Sequence, residues 1–105
     1  MIKHIVLLKG SQNVSDQIIM QIFSLLGKLK NIIPGMLSFE AGKNCSLENL
    51  ERGYQYAFII SFADQKARDS YLEHPEHQVI AKQIVDVCEN GIEDVLVVDI
   101  PVLDS

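Results

Sequence analysis

Apolar and polar residues change rhythm several times along this chain, and each rhythm implies an element. Ile2 to Lys9 (IKHIVLLK) is short, branched and apolar and is bounded by Gly10-Ser11, which predicts a buried strand. Its alternation places Ile2, His4, Val6 and Leu8 on one face and Ile5 and Leu7 on the other. From Ser15, a good N-cap, Ile18, Ile22, Leu25, Leu29 and Ile32 recur at helical spacing. Ile19, Phe23 and Leu26 thicken that stripe, so the spacing predicts a core-facing helix ending near Asn31 and Pro34-Gly35. Met36 to Lys43 sets Leu37, Phe39 and Ala41 against Ser38, Glu40 and Gly42, the pattern of a strand with one wet face. Asn44 to Gly53 is polar and aperiodic and is expected to be a loop.

Tyr54 to Phe62 has the strongest strand pattern, with Tyr54, Tyr56, Phe58, Ile60 and Phe62 on one side. Asp64 is placed to cap a helix running to about His74. Pro75 then stops it and opens a second helical segment to about Glu89, because proline disfavours helical geometry in the residue before it yet suits a first helical position. His77, Ile80, Ala81, Ile84 and Cys88 share one stripe of that segment. Asn90-Gly91 marks its end, and Val95 to Ile100 is a last strand closed by Pro101.

The order strand, helix, strand, strand, helix pair, strand implies an α+β fold. It suits a ferredoxin-like four-stranded antiparallel sheet with helices on one face. The other sheet face then has no cover of its own. Ile5, Leu7, Ala57, Ile59 and one side of Val95 to Val98 would lie there, which predicts a homodimer joined through that face.

Composition narrows the partners. A chain of 105 residues with 48% hydrophobic content is expected to form a single domain, 1–105, with a core that needs no metal or disulfide staple. Nine Lys and Arg against 14 Asp and Glu, a formal charge of −5, argue against nucleic acid and anionic membrane surfaces as partners. Cys45 and Cys88 show no paired spacing and no secretory leader pattern precedes the first strand, so a cytoplasmic protein with reduced thiols is expected.

Several stretches together resemble a known family. Lys3 to Lys9, Asn31 to Pro34 with Met36, Gly42-Lys43-Asn44, Gly53-Tyr54, Phe62, Tyr71, His74-Pro75 with His77, and Val95 to Asp99 are similar to the stress-responsive dimeric A/B barrel domain. The resemblance implies a dimer whose two sheets close into a barrel. His4, Tyr71 and His77 also match, by motif, the acid–base residues of the family's polyketide cyclases of the olivetolic acid cyclase kind. What that implies is an aldol condensation without a metal or organic cofactor. Leu26-Gly27 stands where that cyclase pocket has an aromatic followed by valine, and the chain has no tryptophan, so the cyclase's substrate is not carried over.

The residues themselves allow such chemistry. If His77 faces the sheet and His4 points to the helix side of the first strand, both imidazoles open into one interior space beside Tyr71. Phe23, Leu26, Phe58 and Ile80 are expected to line it, giving an apolar pocket for a small carbonyl-type molecule. His77 at the third position of its helix would be held neutral by the helix dipole and partial burial, which suits a base. Tyr71 is the expected proton donor to a developing oxyanion, with His4 orienting or sharing that role. Each group also has a bland alternative, hydrogen-bonding backbone groups or sitting satisfied in the core. His74, before the proline, is better placed to cap the second segment. The His74-x-x-His77 spacing resembles a metal pair, yet Pro75 breaks the helix that would align the two, so no metal is expected. Three function classes follow: a cyclase or isomerase, a binding module using the same pocket, and a structural stress protein. A pocket joining His4, Tyr71 and His77 separates the first two from the third.

Overall fold

The computed structural model describes residues 1–103. Its elements are β1 (Ile2–Leu8), α1 (Asp16–Lys28), a 3-10 turn (Leu29–Asn31), β2 (Met36–Lys43), β3 (Tyr56–Phe62), α2 (Gln65–Glu73), α3 (Pro75–Asp86), a second 3-10 turn (Gly91–Asp94) and β4 (Val95–Pro101). The strands form one sheet in the order β2-β3-β1-β4, every neighbouring pair antiparallel. With the helices on one face, this is the ferredoxin-like arrangement that the element order predicts.

Local chemistry explains the boundaries. The Ser15 side chain accepts from the Ile18 amide at 3.3 Å and Asp64 from the Ala67 amide at 2.8 Å, so both caps satisfy helix-start donors that would otherwise be orphaned. At Pro75 the chain turns extended: His74 has φ −67° and ψ 131°, and its Nδ1 accepts from the Glu76 amide at 3.1 Å. His74 is therefore the cap of α3. Helix α3 ends at Asp86, about one turn earlier than expected, and β3 begins at Tyr56 rather than Tyr54. Tyr54 lies outside the ladder, with the Lys9 ammonium 4.8 Å from its ring centroid.

The core lies between the sheet and the helices. Leu8, Ile19, Leu26, Ile60, Phe62 and Tyr71 are fully buried there, each contributing on the order of 1.5–3 kcal/mol of hydrophobic stabilisation. Two expectations about which residues face it are corrected. In α1 the buried arc is Ile19, Ile22, Phe23 and Leu26, whereas Ile18 and Leu25 are exposed, as is Ile32 beyond the helix. The apolar arc of the sequence is wider than the strip of sheet it can cover, so one edge is left in water. In β2 a register shift between Met36 and Ser38 turns Leu37 outward and buries Met36 instead, while Ala41 is exposed near the sheet edge. Phe39 keeps its inward place, stacked on Phe58 at 5.6 Å and packed against Gly27.

The turn entering β2 supplies a stability test. Gly35 has φ +86°, and a Cβ there would stand 2.6 Å from the Ala67 Cβ in α2. Gly35→Ala is therefore expected to lower unfolding free energy by about 2 kcal/mol or more, from combined backbone strain and clash. Urea denaturation checks this; an unchanged midpoint would show that α2 moves away freely.

Across the sheet, Ile5, Leu7, Ala57 and Ile59 are only partly buried. On β4 of the same face, Leu96, Val98 and Ile100 are 41%, 42% and 44% exposed. Lys3 and Ser61, hydrogen-bonded at 2.7 Å, give this apolar face a polar spot at one end. The helices leave it uncovered, as the alternation of the strands implies.

Candidate functional site

A cavity of about 220 Å³ opens between the sheet and the helix pair α2–α3, toward the β4 edge. His4, Tyr71 and His77 all line it, together with Phe58 and a wall of aliphatic side chains from α3 and β4. Three different elements position the three polar groups. His4 is on the helix-facing side of β1, between Ile2 and Val6. Tyr71 sits near the end of α2, its ring 5.2 Å from Phe62 and 5.7 Å from His4. His77 enters from the first turn of α3 and lies 4.2 Å from the Tyr71 ring, centroid to centroid. The break at Pro75 lets His77 fold back over Tyr71, because an unbroken helix would carry a residue six positions on to a different azimuth.

Hydrogen bonding sets the state of each group. His77 Nδ1 donates to the Leu72 carbonyl oxygen at 3.2 Å, which leaves Nε2 with the lone pair of a neutral imidazole. Burial holds the His77 pKa below its ordinary value of 6.5, helped by the nearby His4 and His74 imidazoles and opposed by the bond to Leu72. Burial also pushes the Tyr71 phenol well above its ordinary value, so it remains a proton donor. Tyr71 Oη is buried and has no hydrogen-bond partner among the described residues. Leaving such a group unpaired costs about 1–3 kcal/mol. His4, by contrast, is anchored: its Nδ1 donates to Asp99 Oδ1 at 2.6 Å, and Asp99 Oδ2 accepts from Arg68 Nη1 at 2.8 Å. A carboxylate can only accept here, so Nδ1 carries the proton and Nε2 is the free edge of the ring.

Residues 2–102 match the Stress responsive A/B Barrel Domain. The chain belongs to that family. It is 32% identical over 98 residues to the stress-response A/B barrel domain-containing protein HS1 of Arabidopsis thaliana, covering 93% of this chain and 86% of that one. It is 29% identical over 76 residues to olivetolic acid cyclase of Cannabis sativa, 72% of this chain and 75% of the cyclase. Among solved structures, a dimeric ferredoxin-like protein of unknown function from Jannaschia sp. CCS1 superposes with a TM-score of 0.89 at 34% identity, over 96% of this chain and 98% of that one.

In this A/B barrel chain the residues singled out from sequence divide into two groups. His4, Tyr71, His77 and Phe58 come together around the cavity. Phe23, Leu26 and Ile80 do not line it. Phe23 and Leu26 are sealed in the core behind Phe58, with the Phe23 and Phe58 rings 5.2 Å apart. Ile80 lies on the side of α3 turned toward α1, beside Leu25 and Val79. The physical reason is the rotation of α1 and α3: a stripe chosen by spacing includes residues that pack helix against helix as well as those that face a void. The aliphatic wall instead comes from Ala81, Ile84, Val85, Val95 and Val97.

Asp99 and Arg68 were not singled out as functional. Strand alternation places Asp99 on the same side as Val95 and Val97, but only the β1–β4 register sets it opposite His4. A larger depression of about 490 Å³ lies under the 44–54 loop, reaching Leu7, Ala57 and Ile59 of the outer sheet face. It contains no imidazole and belongs to the uncovered face. Among the described residues no group of three or more His, Cys, Asp or Glu side chains converges as a metal site would need. No helix among them is long and apolar enough to cross a membrane.

Proposed function

We propose that the cavity binds a small apolar carbonyl compound and that His77 and Tyr71 carry out proton transfer on it, as an aldol-type cyclase or a keto–enol isomerase requires. The observation that carries this reading is that Tyr71, which lines an apolar cavity, has a buried hydroxyl without a partner and a ring packed on a neutral imidazole. A donor held without an acceptor is stabilised by any ligand oxygen that reaches it. The match to olivetolic acid cyclase, which by its name is a cyclase, supports the same reading. His4, Tyr71 and His77 would be the residues that correspond to its acid–base groups.

The step balances without further reactants. Nε2 of His77 takes a proton α to the carbonyl, the released electron pair forms the enolate double bond, and the carbonyl oxygen takes up the negative charge against the Tyr71 O–H. Returning the proton to the enolate oxygen gives keto–enol isomerisation; attack of the enolate carbon on a second carbonyl of the same molecule closes a ring, and the proton on His77 passes to the alkoxide so formed. His4, held through Nδ1 by Asp99, presents Nε2 to the same cavity, and with a proton on both ring nitrogens it donates to the same oxygen. We propose also that two copies pack through the uncovered sheet face; the Jannaschia protein is described as dimeric.

Proton nuclear magnetic resonance in heavy water tests the proposal. The protein is expected to accelerate deuterium uptake at the α-carbon of acetophenone above the buffer rate. No acceleration would end the base reading. The rate has a predictable pH limb. Only neutral His77 accepts the proton, and its pKa lies below 6.5 in the folded protein, so the rate falls as pH drops through a midpoint below 6.5. A midpoint above 6.5 would assign the base to another group.

A further inference from the structure

We infer that the cavity selects its ligand by size, taking a compact ketone or aldehyde of about nine non-hydrogen atoms, and that Ala81 and Val97 set this limit. The carbonyl in this statement rests on the proton-transfer reading above; the size limit rests on the cavity itself. An apolar cavity of about 150 Å³ holds one benzene, which is about 25 Å³ for each ring atom. At about 220 Å³ the same density gives about nine atoms. Pockets for drug-sized molecules begin near 300 Å³, so this half-open cavity cannot cover the whole of a long polyketide-like chain.

The walls do not yield easily. Val6 and Phe58 close the sheet side and Ile84 the helix side, and all three are buried. Behind Phe58, Phe23 and Leu26 are buried in the core, the Phe23 ring 5.2 Å from that of Phe58. The open side is at Ile92 and Val97, which line the cavity and are 65% and 52% exposed. A longer molecule reaches past that mouth only by drawing its oxygen away from Tyr71. The polar groups cluster around Tyr71, so the ligand's oxygen is placed there and its apolar body against Ala81, Ile84 and Val97. Ala81 is the small residue of this wall. Leucine there projects three further carbons into the void.

Titrating the protein with acetophenone, butyrophenone, hexanophenone and octanophenone, while following α-deuteration of each, tests the inference. Binding is expected to be tightest near acetophenone and at least ~10-fold weaker for octanophenone, the order of discrimination a fixed apolar pocket gives for misfitting methylenes. Ala81→Leu, which fills space rather than removing packing, is expected to weaken acetophenone at least ~10-fold and to move the optimum to cyclohexanone or smaller. Val97→Ala, at a half-exposed position of β4, moves it up to butyrophenone. Octanophenone binding as tightly as acetophenone, no binding by any ketone, or an optimum unmoved in both variants would overturn the size limit. Size-ordered binding without α-deuteration overturns the base reading and leaves the limit standing. Equal deuteration rates along the series do the reverse.

Discussion

His77→Ala lowers the rate of α-proton exchange in a bound ketone by ~10²–10⁴, the contribution a positioned general base makes. The variant keeps its fold, because His77 is only partly buried and its single hydrogen bond is to the Leu72 carbonyl at the end of α2. Tyr71→Phe lowers the same rate by ~10²–10³, as loss of an oxyanion donor does. Its stability distinguishes this role from a structural one. The Tyr71 hydroxyl has no partner in the folded protein, so its removal leaves the unfolding free energy unchanged or raises it by up to about 1 kcal/mol. A hydroxyl that served the fold would show the opposite sign, a loss of about 1 kcal/mol. Exchange kinetics and urea denaturation on the two variants decide the matter. Wild-type rates in both would end the proposal for these residues.

Val98→Asp separates the two copies of the proposed dimer. Val98 lies at the centre of the exposed row Leu96, Val98 and Ile100, beside Ile5 of β1 in the ladder. Two-fold symmetry places the substitution in the interface twice, so two carboxylates lose water without gaining partners. The dimer dissociation constant is expected to rise by at least ~10³, about 4 kcal/mol for the pair. Val79→Asp is the matched control. Val79 is also exposed, on the outer surface of α3 far from the sheet, and its substitution leaves the dimer intact. Sedimentation velocity at micromolar concentration reads both. A wild-type monomer, or a Val98→Asp dimer as tight as wild type, removes the sheet face as the interface.

Both predictions depend on features of differing visibility in the sequence. The outer face was legible because strand alternation is strict: Ile5 and Leu7 must point away from Ile2, His4, Val6 and Leu8 whatever else the chain does. The break at Pro75 was legible for an equally local reason, and with it the capping role of His74 and the inward placement of His77. The pairing of His4 with Asp99, 95 positions away, was not. It exists because β4 aligns antiparallel to β1 in one register out of several that the apolar run VLVVDI would tolerate. Arg68 completes that pair only because α2 crosses the sheet near the end of β4.

The position of Phe23, Leu26 and Ile80 away from the cavity wall has the same origin. Helical spacing identifies an apolar arc, and in α1 that arc runs all the way from Ile18 to Phe23 around the helix. Which part of it meets the sheet is decided by the helix's rotation when it docks, which local periodicity does not encode. Sequence alone determined the order of elements, their caps and breaks, the two faces of the sheet and the inward direction of His4 and His77, because each follows from backbone geometry over a few residues. The tertiary structure alone decided the β1–β4 register, the bulge at Leu37, the rotation of α1 and α3, and hence the cavity. Those depend on packing between segments far apart in the chain, where small shifts change which side chains meet and where a void is left.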